Sequence, residues 1–153
     1  MTARIIGVDY GEKRVGLALS DPLGITAQPL DTIQRETDAQ TADRLEEIVL
    51  SHGAEKVIVG LPLSLSGKDS PQTKRTRRFI SRLRKKLDIK VESWDERLTS
   101  AEAERTMIDL GVRRSRRREQ RDIVAAQLIL QGYLDAKSTI ARAAAEGLSD
   151  ERR

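Results

Sequence analysis

The sequence has no cysteine and a single histidine, His52, among its 153 residues. The first absence excludes disulfides, thiol nucleophiles and thiolate metal sites, and it fits a reducing compartment such as the cytoplasm. The second rules out a histidine-rich metal centre and gives no support to a Ser-His-Asp triad. His52 falls at the end of an expected helix, where an imidazole meets the negative end of the dipole. Aromatic residues are as scarce: one Phe, one Trp and two Tyr. The core must therefore be aliphatic, and stacking platforms for single-stranded nucleic acid are not expected. No apolar run approaches the roughly 20 residues of a membrane helix, so no membrane partner is expected. Met1–Gly7 reaches a charge and a glycine too early for a secretory signal. The length favours one domain.

What the chain does have is charge, unevenly placed. Lys+Arg number 28 against 24 Asp+Glu, a formal +4. Lys74–Lys86 holds eight basic residues and no acidic one, and Arg113–Arg121 holds six basic residues and one acid, Glu119. Together they carry +13, which leaves −9 on the rest of the chain. A solvated helix face and a solvated loop are the ordinary reading of such runs. Ordinary helix surfaces intersperse acids with bases, however, and like charges at i, i+4 destabilise a helix. A phosphate backbone would offset the repulsion, because neutralising it releases counterions.

The periodicity reads βββαβαβαα, a mixed five-stranded α/β sheet flanked by helices. Arg4–Tyr10 is a strand, and a second runs from Val15 to Ser20, where Val15, Leu17 and Leu19 alternate with small residues. A third spans Ile25–Ile33, with Pro29 marking an edge or a break. Ala39–His52 has helical spacing and ends at Gly53. Lys56–Leu61 contains Val57-Ile58-Val59, as in a strand covered on both faces. Ser70 and Pro71 open a helix to about Leu87. Ile89–Trp94 is the last strand. Thr99 and Glu102 have capping-box spacing for a helix to Leu110. A basic connection, Gly111–Gln120, leads to a helix over Arg121–Ala136. Residues 1–136 form the expected domain, and 137–153 an alanine- and charge-rich mobile tail.

Three acidic positions carry the chemistry. Asp9 ends the first strand, and strand parity sets Ile5, Gly7 and Asp9 on one face. Asp before a glycine turn is also ordinary turn chemistry. Asp95-Glu96 follows the last strand; adjacent residues point to opposite faces, so one of the pair is expected to join Asp9, and parity at a strand end leaves open which. Either acid would also suit a helix N-terminus. Asp122 opens the final helix on the stripe of Ala125, Ala126, Ile129 and Tyr133. It too would suit the helix dipole, or an ion pair with Arg121 and the basic loop. Carboxylates gathered in one place repel one another, and hard divalent cations answer that repulsion. Mg²⁺ takes oxygen ligands and phosphate oxygens, and two such ions support in-line displacement at phosphorus without histidine or cysteine.

Four segments then resemble a known family. Gly7-Val8-Asp9-Tyr10-Gly11-Glu12-Lys13-Arg14-Val15-Gly16, Val59-Gly60-Leu61-Pro62-Leu63, Asp95-Glu96-Arg97-Leu98-Thr99 and Asp122-Ile123-Val124-Ala125-Ala126-Gln127-Leu128-Ile129-Leu130-Gln131 are similar in order and spacing to the YqgF/RuvX family. These are bacterial nucleases described as Holliday junction resolvases and as pre-16S rRNA nucleases. The likeness covers about residues 4–135. It implies a ribonuclease H-like fold and a metal-binding catalytic set of Asp9, Glu96 and Asp122, with Asp95 as the substitute for Glu96. The ions would be Mg²⁺ or Mn²⁺, two with substrate bound. Lys74, Arg75, Arg78, Arg82 and Lys85 would bind nucleic acid, as would Arg113, Arg114, Arg116, Arg117 and Arg118. Arg97 joins them, while Lys13 and Arg14 either contact a phosphate or decorate a hairpin. Gly60-Leu61-Pro62 reads as a shaped turn near the site.

The expected function is that of a cytoplasmic, metal-dependent endonuclease, a monomer or homodimer. Its first expected substrate is precursor 16S rRNA and its second a branched DNA junction. Two other classes compete. Asp9-Tyr10-Gly11 followed by Gly16 resembles the phosphate loop of actin-like ATPases, although those pair two such domains around the nucleotide. A nucleic-acid-binding module without catalysis would need no divalent ion, but would leave an inward-facing acid at Asp122 without a partner.

Overall fold

Alternation along the first strand decides the layout. In a computed structural model, which describes residues 3–98, 105–106, 108–109 and 121–151, Arg4–Tyr10 is strand β1. Ile6, Val8 and Tyr10 enter one apolar cluster, while Ile5 enters another. The sheet thus has a core on each face, as a period of two requires when both faces are covered.

Strand β2 (Arg14–Ser20) pairs antiparallel with β1, and β3 (Ala27–Gln34) pairs antiparallel with β2. The register slips between Leu17 and Ala18, opposite Asp31 and Pro29. Proline lacks a ladder donor and is tolerated at such a bulge on an edge strand. Helix α1 (Asp38–His52) is capped by the Thr37 hydroxyl, which accepts from the Gln40 amide, and ends at Gly53 with φ 60°. Strand β4 (Ala54–Leu61) returns parallel to β1. Helix α2 (Pro71–Lys86) starts with the expected Ser70 cap and Pro71, and Thr73 closes a capping box. Strand β5 (Lys90–Asp95) lies parallel to β4 and runs into a 3₁₀ turn, Glu96–Leu98. The sheet order is β3-β2-β1-β4-β5.

Helices α1 and α2 cover one face with Leu45, Ile48, Phe79 and Leu83, and Tyr10 stacks on Phe79 at 4.4 Å between ring centres. The last helix, α3 (Arg121–Glu151), covers the other with Ala126, Ile129, Leu130 and Leu134. Two buried glutamines tie it to the sheet edge. Gln131 Oε1 accepts from the Ala27 amide at 2.9 Å, and Gln127 Nε2 donates to the Ala27 carbonyl at 3.1 Å. Buried backbone groups need such partners, and here side chains supply them.

Two expectations need comment. The final helix does not end at Ala136 but continues to Glu151, with residues 137–147 exposed. Its alanines have the highest intrinsic helix propensity and need no packed stripe to continue the helix. The expected helix over Thr99–Leu110 falls mostly outside the described residues, although Arg105, Thr106, Ile108 and Asp109 are helical. The basic connection Gly111–Gln120 lies outside them altogether.

Candidate active site

Asp9, Glu96 and Asp122 lie at the carboxyl end of the parallel strands on the α3 face, near enough for Glu96 and Asp122 to act on Asp9. Asp9 is the penultimate residue of β1 and shares the face of Ile5. Its cross-strand partner in β2 is Gly16. A Cβ on Gly16 would stand 1.9 Å from the carbonyl oxygen of Asp122, so the first turn of α3 rests on the backbone of β2 at that point. Only a residue without a side chain permits the approach.

Glu96 arrives from the other side. Val91 belongs to the α2-side core and Trp94 packs against the α3-side core. Parity carried through the strand therefore takes Asp95 toward the α2 side and Glu96 toward Asp9. Gly60 of β4 makes room for it: a Cβ there would lie 2.7 Å from Glu96 Oε1. The expected role of Gly60 as shaping rather than chemistry agrees with that contact.

The charges act on one another. Asp9 is pushed up to about 7, first by burial, then by the nearby carboxylates of Glu96 and Asp122, with Arg121 opposing. Burial also raises Glu96, and Asp95 adds to it. Desolvation and like charge both favour the neutral acid. Asp95 behaves differently: Arg97 donates to both its oxygens, from Nε to Oδ1 at 3.1 Å and from Nη2 to Oδ2 at 2.8 Å, and this holds its pKa below the ordinary value. The acid kept as substitute for Glu96 is thus already paired.

Asp122 has a partner as well, because Arg14 Nε lies 3.1 Å from its Oδ2. The side chains are about 49% and 21% exposed, so this is a partly solvated pair. Beside it opens a cleft of about 410 Å³ lined by Gly11, Glu12, Lys13, Arg14, Arg121 and Asp122. Lys13 and Arg14 therefore line the cleft beside Asp122. Among the described residues no three acidic, histidine or cysteine side chains already form a cage for one ion.

The other expected nucleic-acid contacts divide. Arg97 is engaged by Asp95 and by the Ser64 carbonyl at 3.2 Å, and Arg75 by Gln72 at 2.8 Å and Glu12 at 3.4 Å. Lys74, Arg78, Arg82 and Lys85 are exposed on α2. Arg113, Arg114, Arg116, Arg117 and Arg118 lie outside the described residues. The Arg14–Asp122 pair and the contacts of Gly16 and Gly60 do not follow from the sequence pattern; the small residues along β2 and the alanines Ala125 and Ala126 of α3 are its signs of a close helix.

Comparison with known proteins decides the family. The family model described as "RuvX: Holliday junction resolvase" matches residues 3–136. The chain belongs to the RuvX family. It is 43% identical over 139 residues to the "Putative pre-16S rRNA nuclease" of Acetivibrio thermocellus, covering 90% of this chain and 99% of that one. The protein of the same name from Symbiobacterium thermophilum is 46% identical over 135 residues, covering 88% and 94%. Among solved structures, T. thermophilus RuvC in complex with a Holliday junction substrate superposes with a TM-score of 0.64 at 13% identity, over 90% of this chain and 97% of that one. The fowlpox virus Holliday junction resolvase follows at 0.50 and 16% identity, over 87% and 98%. The fold is ribonuclease H-like, as expected. A member of the RuvX family is a nuclease, a hydrolase whose partner is nucleic acid. Among the described residues no helix is long and apolar enough to cross a membrane.

Proposed function

We propose that this chain is a cytoplasmic, divalent-metal-dependent endonuclease that matures the 5′ end of precursor 16S rRNA, with Asp9, Glu96 and Asp122 as its metal-binding carboxylates. The observation that carries the assignment is the placement of Asp9 beside Glu96 and Asp122 through the contacts of Gly16 and Gly60, where burial and the two neighbouring carboxylates push Asp9 up to about 7. Such an all-oxygen, mutually repelling donor set suits Mg²⁺ or Mn²⁺. When bound, divalent ions supply activation of water and neutralisation of charge at the reacting phosphorus. The protein's own part is to present the oxygens. Asp9 gives up a proton in doing so, and Glu96 and Asp122 add the charge that holds the site's preference for cations. Arg14 and Lys13 line the cleft beside Asp122, where they would orient a phosphate of the strand to be cut.

The choice of RNA rests on the curated relatives, whose name specifies pre-16S rRNA. A second reading, cleavage of branched DNA, is favoured by the family's description. One experiment compares them. Purified protein with Mg²⁺ is given a precursor 16S fragment and a four-way DNA junction of matched length. Cleavage of the RNA at its 5′ leader, lost in Asp9→Asn without unfolding, supports the first reading. Cleavage of the junction alone supports the second. Equal cutting by wild type and Asp9→Asn removes the site assignment.

A further inference from the structure

The cations of α2 fall into two groups by what they touch. Arg75 is held by Gln72 and Glu12, Arg77 by Asp69 at 2.9 Å, Arg84 by the Val91 carbonyl at 3.0 Å, and Lys86 by Asp43 and Glu46 of α1. The side chains of Lys74, Arg78, Arg82 and Lys85 have no hydrogen-bond or ion-pair partner among the described residues. These four are spaced i, i+4, i+8, i+11, which places them on one stripe of the helix. All four are exposed. The stripe borders an open groove of about 650 Å³ lined by Arg77, Arg78, Ser81, Arg82, Lys85 and Lys86. No acid interrupts it, and the helix that carries it is otherwise well built, with a capping box and a buried apolar face.

We propose that this stripe is a backbone-binding track for duplex RNA, separate from the catalytic cleft. It is on the α1–α2 side of the sheet, whereas Asp9 and Asp122 are on the α3 side. Its near end adjoins the catalytic end of β1, because Gln72 Nε2 donates to the Tyr10 carbonyl at 2.8 Å. From there it extends along the helix for roughly 16 Å at 1.5 Å per residue. B-form DNA has one phosphate per about 3.4 Å on each strand, and an A-form RNA duplex spaces them more closely along its axis, so that length faces about five phosphates or more. A straight, rigid row of cations fits a stiff duplex. The one aromatic residue of α2, Phe79, is fully buried, so the track offers no aromatic ring on which bases of a single strand could stack. The contacts are to phosphate and carry no base readout. The choice of RNA depends on the reading of the function given above.

Two double variants of the full chain, each removing two positive charges in an Asp9→Asn background, test this. Arg78→Gln/Arg82→Gln alters the stripe, and Arg44→Gln/Arg84→Gln alters cations that already have partners and do not line the groove. Affinity for a labelled RNA duplex of about 20 base pairs is measured against salt. The stripe double lowers the slope of log K against log salt by about two, one for each phosphate no longer neutralised, and the control double leaves it near the parent value. Equal changes in both doubles, or none in either, overturn the track while leaving the nuclease reading intact. Tighter binding of a single strand or of a DNA duplex overturns the choice of duplex RNA. A parent protein that binds anionic vesicles and no nucleic acid overturns both the track and the function it rests on. Circular dichroism and melting of each double show that the helix is retained.

Discussion

The carbonyl oxygen of Asp122 occupies the place where a side chain on Gly16 would begin, 1.9 Å from the position of that missing Cβ. Gly16 is also the cross-strand partner of Asp9. One glycine thus brings together two acids more than a hundred residues apart in the chain. The consequence is testable in the backbone itself. Gly16→Ala puts a methyl group against main-chain atoms that cannot rotate away, so the start of α3 has to lift. Overpacking of this kind costs about 1–3 kcal/mol. Melting should show that loss, and cleavage should fall more steeply than stability, because the displaced turn carries Asp122. Wild-type activity in a folded Gly16→Ala protein would contradict the role given to this contact.

Gly60 offers a contrast. A Cβ there meets side chains rather than backbone: Ile129 Cδ1 at 2.3 Å, Glu96 Oε1 at 2.7 Å and Ile129 Cγ1 at 2.9 Å. The Glu96 carboxylate can swing away, but the buried Ile129 has to shift within the core, at a cost of about 1–3 kcal/mol. Gly60→Ala should therefore lower the melting temperature and also turn Glu96 away from Asp9. The expected result is a folded protein with reduced divalent-ion affinity, read by calorimetry. Unchanged ion affinity would remove Gly60 as a shaper of the site.

The pH dependence has a definite sign. The pKa of Asp9 is about 7 in the folded protein against 3.8 for a free side chain, so between these values the folded state binds more protons than the unfolded one. Stability contributed by the neutral acid is complete below the lower value and lost as pH rises through the upper one. Glu96 acts in the same direction, whereas Asp21, Glu92 and Asp95, with lowered values, favour the folded state as pH rises from the acid side. From about pH 5.5 to about pH 8 the melting temperature of wild type should fall relative to Asp9→Asn. Parallel curves would show that Asp9 is not an elevated acid.

Arg14 competes with any cation for Asp122. The pair is partly solvated, so its net worth is small, about 0–1 kcal/mol. Arg14→Gln should leave melting nearly unchanged and raise Mn²⁺ affinity severalfold, since a fixed positive charge is removed from beside the site. The same variant should weaken nucleic-acid binding if Arg14 meets a phosphate. A fall in Mn²⁺ affinity would mean that Arg14 positions Asp122 for the ion instead of withholding it.

Much of this arrangement was legible in the sequence because it follows from period and spacing. Alternation along β1 fixed the face of Asp9, and Ser70-Pro71 fixed the start of α2. The choice between Asp95 and Glu96 was decidable in principle from Val91 and Trp94, which point to opposite cores. It stayed open because parity at a strand end depends on whether the strand continues through its last residue, and β5 does continue to Asp95. The contacts of Gly16 and Gly60 were hidden for another reason: they join distant segments, and no local pattern records which backbone will rest on which glycine. Helix α3 runs past the expected end at Ala136 because the alanines beyond it extend the helix by propensity, without an apolar stripe.

The most direct measurement is a Mn²⁺ titration of the free protein at about pH 8, where an acid with a pKa near 7 is ionised, followed by electron paramagnetic resonance. Wild type should bind the ion, Asp9→Asn, Glu96→Gln and Asp122→Asn should each lose most of that affinity, and Asp95→Asn should retain it. Equal binding by wild type and Asp9→Asn, or loss confined to Asp95→Asn, would contradict the assignment.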